Sequence, residues 1–297
     1  MIPSSTALRE RFVKANGVSL HVVEAGPANG PPVVLLHGFP EFWYGWRRQI
    51  GPLADAGYRV IVPDQRGYNL SDKPERVADY RIDRLAADVL ALLDDSGCKR
   101  ASVVGHDWGA AVAWWLGSHH PERLDRLGIL NVPHPLVMRR HLLTNPRQLL
   151  RSWYIFFFQI PWLPEACLGS WSGRLAAGGL RATSRRGSFE DAELGRYREA
   201  WARPQAIRSM VNWYRAARWW ATQPYGPERV PVETLMIWGA RDIALGREMA
   251  APSLEFCDRG RLVVFERATH WVQHEEAEAV TGLMLRFLAG GLAGLDG

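Results

Sequence analysis

Cysteine and lysine are scarce in this chain of 297 residues, and long apolar runs are missing. The three cysteines, Cys98, Cys167 and Cys257, are far apart and odd in number, which provides neither a metal-binding spacing nor a disulfide framework. No run approaches the roughly 18 apolar residues that a membrane span needs. The first 17 residues hold no apolar core of signal-peptide length. The sequence therefore predicts a protein of the reducing cytoplasm without a membrane span.

Arginine carries almost all of the positive charge. Lysine and arginine number 36 against 31 acidic residues, a net charge of +5, and the only lysines are Lys14, Lys73 and Lys99. The arginines are spread along the chain and interleaved with acidic residues, so the sequence shows no basic face typical of nucleic-acid binding. We expect no nucleic-acid partner, and the sequence leaves a homodimer open.

Short apolar runs alternate with helical periodicity through the first 132 residues. Strands are predicted at 10–16 and 18–25, paired around Asn16-Gly17, and then at 32–36, 58–63, 101–104 and 124–132. Helices are predicted at 42–54, 82–96 and 110–119. This alternation is typical of an α/β protein with a mostly parallel, doubly wound sheet.

The alternation stops after Val132 and resumes near residue 231. Between these points aromatic residues recur at helix-like spacing, including seven of the 14 tryptophans: Trp153, Trp162, Trp171, Trp201, Trp213, Trp219 and Trp220. Strands at 232–238 and 262–265 and a helix at 275–288 complete the prediction. The sequence thus predicts a core domain of residues 1–133 and 231–297 and an inserted helical cap of residues 134–230.

The strand predicted at 101–104 leads directly into Gly105-His106-Asp107-Trp108-Gly109. Glycines on both sides of a central residue allow a sharp turn and a close approach of strand and helix. This is the nucleophile-elbow pattern, with Asp107 in the position that serine commonly holds. On these five residues alone, ordinary tight packing with Asp107 as a helix N-cap stays an open alternative.

Residues that can carry chemistry follow three other predicted strands. They are His37-Gly38-Phe39-Pro40 after 32–36, Asp242 after 232–238, and His270 after 262–265. In open parallel sheets, ligands bind outside the carboxyl ends of the strands. The order nucleophile, acid, histidine is that of the α/β-hydrolases. We therefore expect Asp107, Asp242 and His270 to meet in one site.

From about residue 10 to residue 290 the chain resembles the α/β-hydrolase fold family, and within it the epoxide hydrolases that use an aspartate nucleophile. The core motifs that carry the resemblance are His37-Gly38-Phe39-Pro40, the elbow, Trp238-Gly239-Ala240-Arg241-Asp242 and His270-Trp271-Val272-Gln273. In the cap, Asn212-Trp213-Tyr214-Arg215 and Tyr154, which precedes Phe158-Gln159, are similar to the two tyrosine positions of the family. Asn69 and Thr269 depart from the pattern, because the family often has glycine there.

The resemblance implies hydrolysis of an epoxide to a vicinal diol. Asp107 attacks a ring carbon to form a covalent alkyl ester, and the hydroxyls of Tyr154 and Tyr214 activate the ring oxygen. On the residues alone, aromatic packing with satisfied hydroxyls stays an open alternative for both tyrosines, and it is the favoured one for Tyr154. His270, oriented by Asp242, then activates water to hydrolyse the ester. The reaction calls for no metal and no cofactor.

The resemblance also implies an oxyanion hole and a pocket. The backbone N–H groups of Phe39 and Trp108 form the oxyanion hole. His37, Pro40 and Trp271 are expected to line an apolar pocket for a small lipophilic epoxide.

Two other histidines lie beside the motifs. His106 immediately precedes the nucleophile, a position that points away from the site in an elbow. His274 lies one helical turn beyond His270, and we expect it at the surface.

The main alternative is a haloalkane dehalogenase, which shares the aspartate nucleophile, the following tryptophan and the histidine base. Many of those enzymes resemble His-Gly-Asn-Pro in the first motif, where the asparagine amide holds the halide, whereas this chain has Phe39. A haloacid dehalogenase needs arginines after the nucleophile, where Trp108 and Ala111 stand. A non-catalytic binding protein of this fold typically loses a catalytic residue, and all three are present.

Overall fold

One eight-stranded sheet organises the computed structural model, which describes residues 7–218 and 226–296; Trp219 and Trp220 lie outside the described residues. Its strands are β1 (Arg9–Ala15), β2 (Val18–Ala25), β3 (Pro32–Leu36), β4 (Arg59–Pro63), β5 (Ala101–His106), β6 (Leu124–Leu130), β7 (Thr234–Gly239) and β8 (Gly260–Phe265). Their order across the sheet is β1-β2-β4-β3-β5-β6-β7-β8. β2 is antiparallel to both β1 and β4, and the other neighbours are parallel. The predicted mostly parallel, doubly wound sheet is confirmed.

Helices connect the parallel strands and also fill the stretch between β6 and β7. They are α1 (Arg47–Asp55), α2 (Ile82–Asp95), α3 (Trp108–His119), α4 (Pro135–Thr144), α5 (Pro146–Arg151), α6 (Trp153–Phe157), α7 (Leu163–Thr183), α8 (Asp191–Trp201), α9 (Ala206–Ala216), α10 (Ala250–Leu254), α11 (Val272–Glu275) and α12 (Ala277–Gly290). Short 3₁₀ helices lie at Trp43–Trp46, Val77–Tyr80, Pro121–Arg123, Arg247–Met249 and Ala293–Leu295. The helix predicted at 275–288 is divided between α11 and α12, and α7 is kinked at Ser170 to Gly173, where the backbone is not helical.

The local sequence accounts for most of these elements. The turn between β1 and β2 uses Asn16 and Gly17, both at positive φ, as a tight two-residue hairpin requires. The apolar side chains of β3 and β4 are fully buried because helices and neighbouring strands cover both faces of the central sheet. Since β3 lies between β4 and β5, the loops after β3 and β5 open beside each other at the carboxyl edge.

Helices α4 to α9 all lie within the predicted cap. The limits of that domain, residues 134 and 230, stay a prediction; below, "cap" denotes residues 134–230 and "core" the remaining residues. Polar contacts tie the two together. The indole of Trp201 donates to the carbonyl oxygen of Pro40 at 2.6 Å, and the Arg47 Nε–H donates to Glu193 at 2.7 Å. No helix among the described residues is long and apolar enough to cross a membrane.

The elbow depends on very close backbone packing. The backbone of Asp107 has φ 50° and ψ −125°. Residues other than glycine rarely adopt a positive φ. A Cβ atom on Gly105 would lie 2.3 Å from the carbonyl oxygen of Gly109, and a Cβ on Gly109 would lie 2.2 Å from that of Leu36. The two glycines therefore let β5 and α3 meet at the angle that exposes Asp107.

We expect Gly109→Ala to lower the free energy of unfolding by about 2–3 kcal/mol, because the new methyl group collides with the backbone of β3. The matched control is Gly178→Ala in α7, where an added Cβ meets nothing within 4 Å. Helix propensity alone then raises stability by about 0.5–1 kcal/mol. Urea unfolding of both variants measures the difference, and a change of the same sign in both contradicts the packing argument.

Candidate active site

The loops after β5, β7 and β8 bring the three predicted triad residues together. The Nε2 atom of His270 lies 3.5 Å from Oδ2 of Asp107, and its Nδ1 lies 2.6 Å from Oδ2 of Asp242. All three side chains are largely buried, and Asp242 is the most deeply enclosed. One imidazole thus connects two carboxylates, the arrangement of a nucleophile, a base and the group that orients the base.

Asp242 is held by a residue that the sequence analysis did not single out. The Asn131 side-chain amide donates to Oδ2 of Asp242 at 3.0 Å, and its oxygen accepts from the backbone N–H of Gly239 at 2.8 Å. The backbone N–H groups of Ala244 and Leu245 donate to Oδ1 of the same carboxylate. Asn131 directly follows β6, so the strand-end pattern that identified the triad also applies to it.

The two carboxylates set the protonation of His270. Burial by itself lowers the pKa of His270, but the charges and hydrogen bonds of Asp242 and Asp107 outweigh burial and raise the pKa from 6.5 to about 10. For Asp107, burial favours a higher pKa, and the hydrogen bond and charge of His270 reverse this, so that the pKa falls below 3.8. The resting site therefore holds an imidazolium between two carboxylates.

One backbone donor already contacts the predicted nucleophile. The N–H of Phe39, in the loop after β3, donates to Oδ1 of Asp107 at 2.7 Å. Gly38 makes this approach possible, since a Cβ there would lie 2.3 Å from Cβ of Asp107. Trp108 opens α3 at the same edge, and its assignment to the oxyanion hole stays a prediction.

Both predicted cap tyrosines lie in an aromatic cluster next to Asp107. The rings of Tyr154 and Tyr214 are 5.9 Å apart and nearly perpendicular. Tyr214 also packs on Trp108 at 5.1 Å and on Phe39 at 5.2 Å. Burial, followed by the negative charge of Asp107, raises the pKa of both tyrosine hydroxyls. They are therefore protonated and able to donate hydrogen bonds at neutral pH.

The three residues expected to line the pocket are all buried and hydrogen-bonded to protein groups. The Nε2 atom of His37 accepts from the backbone N–H of Gln65, and the carbonyl of Pro40 accepts from Trp201. The indole of Trp271 donates to Oγ1 of Thr183 in the cap. These contacts give each residue a structural role, and their contact with a substrate stays a prediction.

His106 lies behind His270, as its place before the elbow residue predicts. Its ring is 4.7 Å from that of His270, and its Nε2–H donates to the backbone oxygen of His270 at 2.9 Å. The Gln273 amide donates to Nδ1 of His106, and the same amide also donates to Glu41. A buried polar chain therefore supports the His270 loop from below.

The expectation that His274 lies at the surface is wrong. The side chain is 1% exposed, because α11 turns inward and packs beneath the loop after β3. Its Nε2 lies 2.7 Å from Glu41 and its Nδ1 lies 3.1 Å from Arg47. Burial lowers the pKa of His274 to about 4, and Arg47 adds to that effect. The four-residue spacing between His270 and His274 does not predict an exposed side chain, because α11 is only one turn long.

Both departures from the family pattern are accommodated locally. Asn69 has φ 41°, a left-handed conformation that asparagine tolerates better than most residues, and its amide donates to Asp64. Thr269 donates from its backbone N–H and its hydroxyl to Glu275. Within residues 7–218 and 226–296, no group of three His, Cys, Asp or Glu side chains is placed to hold a metal ion.

We expect Asp107→Asn to lower the pKa of His270, because it removes one of the two charges that hold the proton. NMR titration of the imidazole measures this, with Asp125→Asn, at a surface ion pair with Arg100, as the control. The pH dependence of stability follows from the same shift. The pKa of His270 in the folded state, about 10, is above its reference value of 6.5. The stabilisation from His270 is therefore complete below pH 6.5 and disappears as the pH rises through about 10. If His270 titrates near 6.5 in the parent protein and in both variants, this electrostatic description is wrong.

Comparisons with known proteins show the family of this chain. The family model described as "alpha/beta hydrolase fold" matches residues 31–277. The "AB hydrolase superfamily protein YfhM" of Bacillus subtilis (strain 168) is 47% identical over 278 residues, which cover 94% of this chain and 97% of that protein. "Epoxide hydrolase A" of Mycobacterium tuberculosis (strain ATCC 25618 / H37Rv) is 37% identical over 317 residues, covering 95% of this chain and 97% of that protein.

A solved structure shows the same likeness in three dimensions. The crystal structure of Epoxide Hydrolase A from Mycobacterium thermoresistibile superposes with a TM-score of 0.84 at 33% sequence identity. The match covers 96% of this chain and 99% of that one. The chain therefore belongs to the α/β-hydrolase fold family and, within it, to the epoxide hydrolases.

Proposed function

We propose that this protein hydrolyses epoxides to vicinal diols through a covalent ester on Asp107. The observation that carries the proposal is the surroundings of that carboxylate: the Phe39 N–H at one oxygen, His270 near the other, and the two tyrosines in the aromatic cluster above. The names of the relatives from both mycobacteria support the same activity. Each part of this arrangement has a task in a two-step displacement.

Ring opening uses Asp107 as the nucleophile. Its lowered pKa keeps it ionised at neutral pH, so no base is needed for its attack on carbon. Oδ1 is held by the Phe39 N–H, which leaves Oδ2 to form the bond to a ring carbon. The carbon–oxygen bond of the ring breaks as the ester forms, and negative charge develops on the departing oxygen.

Tyr154 and Tyr214 donate hydrogen bonds to that oxygen. Their burial makes each bond stronger than it is in water, because no solvent competes for the charge. Since the charge of Asp107 contributes to their raised pKa values, esterification of Asp107 lowers the pKa of both hydroxyls. The tyrosines become better proton donors as the alkoxide appears.

The same loss of charge prepares His270 for the second step. While Asp107 is ionised it helps to hold a proton on the imidazole; once Asp107 is an ester, the pKa of His270 falls. The released proton balances the one that the alkoxide takes up through the tyrosines. The first step therefore ends with a neutral imidazole next to a neutral ester.

Neutral His270 then removes a proton from water, and the hydroxide attacks the ester carbonyl carbon. The N–H groups of Phe39 and Trp108 stabilise the tetrahedral oxyanion. Collapse breaks the bond to the alkyl oxygen, which takes the remaining proton of the attacking water and leaves as the diol. Asp107 returns as a carboxylate and His270 as an imidazolium, held by Asp242 at 2.6 Å.

The residue in the first motif favours this reaction over dehalogenation. A haloalkane dehalogenase needs indole or amide N–H groups to hold the halide. Phe39 offers no side-chain donor for a halide. The tyrosines also have no task in halide departure.

The aromatic cluster favours lipophilic or aromatic epoxides as substrates. A cytoplasmic location and the absence of a nucleic-acid partner remain part of the proposal.

We expect His270→Gln to accumulate the ester during reaction with styrene oxide, because the ester forms but no base activates water. Intact-protein mass spectrometry then shows a gain of one substrate mass. Asp107→Asn is the control, with neither adduct nor diol. The unaltered protein should release diol from the epoxide and no halide from a bromoalkane. Halide release without diol formation would identify a dehalogenase instead.

We expect Tyr214→Phe and Tyr154→Phe each to slow ester formation by about 10- to 100-fold, and the double variant by about 10³-fold or more, since one and then both oxygen donors are lost. Single-turnover kinetics of the adduct measures the step directly. Tyr80→Phe is the matched control, because that buried hydroxyl donates to the carbonyl of Pro74. A double variant with an unchanged rate would show that the tyrosines only pack.

A further inference from the structure

One stretch of the cap exposes an unusual amount of apolar surface. Between residues 143 and 162, seven large apolar side chains are exposed: Leu143 (77%), Leu149 (42%), Leu150 (76%), Trp153 (63%), Phe156 (58%), Ile160 (43%) and Trp162 (76%). Among the described residues of the core, the only large apolar side chains that are exposed are those of Phe12 and Ile243. The fold of the chain does not bury these side chains. A concentration of exposed apolar side chains of this kind marks an interaction surface. We call these seven residues the outer cap surface.

The outer cap surface is continuous along the chain. It runs from the end of α4 through α5 and α6 to the start of α7, and α5 packs against both α4 and α6. Helix α6 has two different sides: Tyr154 packs on Tyr214 in the aromatic cluster, whereas Trp153 and Phe156 are exposed to solvent. Part of the outer cap surface therefore lies on the same short helix as one of the proposed ring-oxygen donors.

Positive charge accompanies this apolar surface. No acidic residue occurs between Asp125 and Glu165. Arg139, Arg140 and Arg147 are exposed within that stretch and form no ion pair with any residue that the structure describes. The flanking acidic residues, Asp125 and Glu165, are already paired with other arginines. The three guanidinium groups are thus available to an anionic partner.

The imbalance extends over the whole cap. Residues 134–230 contain fifteen arginines and six acidic residues, an excess of nine positive charges, whereas the whole chain has an excess of five. The core therefore carries an excess of four negative charges. Arginines and acidic residues are interleaved over the entire sequence, but within the cap arginines predominate. A field of one sign on one part of the molecule attracts anionic surfaces.

An adjoining groove has the same chemistry. It measures about 600 Å³, and its lining includes Trp162, one carboxylate, Glu165, and three arginines, Arg208, Arg215 and Arg218. Arg215 is paired with Glu165 at 2.6 Å, whereas the exposed Arg208 has no ion-pair partner among the described residues. Arginine beside tryptophan at an apolar edge suits a phosphate group at the boundary of a lipid layer.

We propose that the cap docks onto membranes that contain anionic phospholipids. The tryptophan, phenylalanine and leucine side chains of the outer cap surface enter the interfacial layer, while Arg139, Arg140 and Arg147 contact lipid phosphates. A second copy of the chain fits this surface less well, because an isologous contact brings two arginine-rich faces together. Docking is independent of the catalytic proposal, so a failure of either one leaves the other standing.

Co-sedimentation of the purified full-length protein with vesicles tests the proposal. We expect binding to vesicles of phosphatidylcholine with phosphatidylglycerol, weaker binding to phosphatidylcholine alone, and a decrease at high salt. The triple variant Arg139→Gln, Arg140→Gln, Arg147→Gln should lose roughly a hundredfold in partitioning. The double variant Trp153→Ser, Phe156→Ser should lose roughly tenfold or more, because it removes buried apolar area.

Matched variants of the core are the controls. Phe12→Ser removes an exposed aromatic ring, and Arg76→Gln, Arg267→Gln, Arg286→Gln removes three exposed charges. Both should bind vesicles as the unaltered protein does, and circular dichroism checks that every variant is folded.

Three results overturn the proposal. The first is equal binding of the unaltered protein to neutral and anionic vesicles, or no binding to either. The second is an equal loss in the core controls. The third is a dimer in sedimentation velocity that the Trp153→Ser, Phe156→Ser variant abolishes, which would assign the outer cap surface to a second copy of the chain.

Discussion

The position of one imidazolium between two carboxylates is the interaction on which the site depends. His270 bridges Asp107 and Asp242, and each of the three groups is buried where an unpaired charge is strongly destabilising. The pairing keeps Asp107 ionised and His270 protonated in the resting state. In the proposed reaction the charge of Asp107 disappears on esterification, and this lowers the pKa of His270 and of the two tyrosine hydroxyls. Substrate chemistry and proton transfer are thereby coupled through one short electrostatic path.

Backbone packing makes that position possible. Asp107 occupies a left-handed conformation that only tight surroundings maintain, and Gly38, Gly105 and Gly109 allow those surroundings because they lack a Cβ atom. The Phe39 N–H reaches the carboxylate through the same close approach. Behind the site, Glu41 accepts hydrogen bonds from Gln273, Tyr197 and His274 under the His270 loop. Precision in the site is therefore a property of the backbone and of this hydrogen-bonded polar core together.

The cap has two faces with different chemistry. Its inner face is closed over the nucleophile by aromatic rings and tied to the core by hydrogen bonds such as that from Trp201 to Pro40. Its outer face combines exposed apolar side chains with arginines that form no ion pair with any described residue. Both faces meet on α6, where Tyr154 and Trp153 are consecutive residues with opposite environments. If the cap docks on a bilayer as proposed, a lipophilic substrate in that bilayer is concentrated beside the part of the site that the cap supplies.

Local signals in the sequence determined the strands, the elbow and the triad. Apolar runs, glycine spacing and the order of Asp107, Asp242 and His270 all act over a few residues or follow from the parallel sheet, so they could be predicted without coordinates. Tertiary structure alone decided which side chains hold the triad. Asn131 supports Asp242 from another strand, and His274 is buried against Glu41 and Arg47, which are distant in sequence. The arginine-rich outer surface likewise emerged only when exposure was known, because composition does not say which residues a fold leaves uncovered.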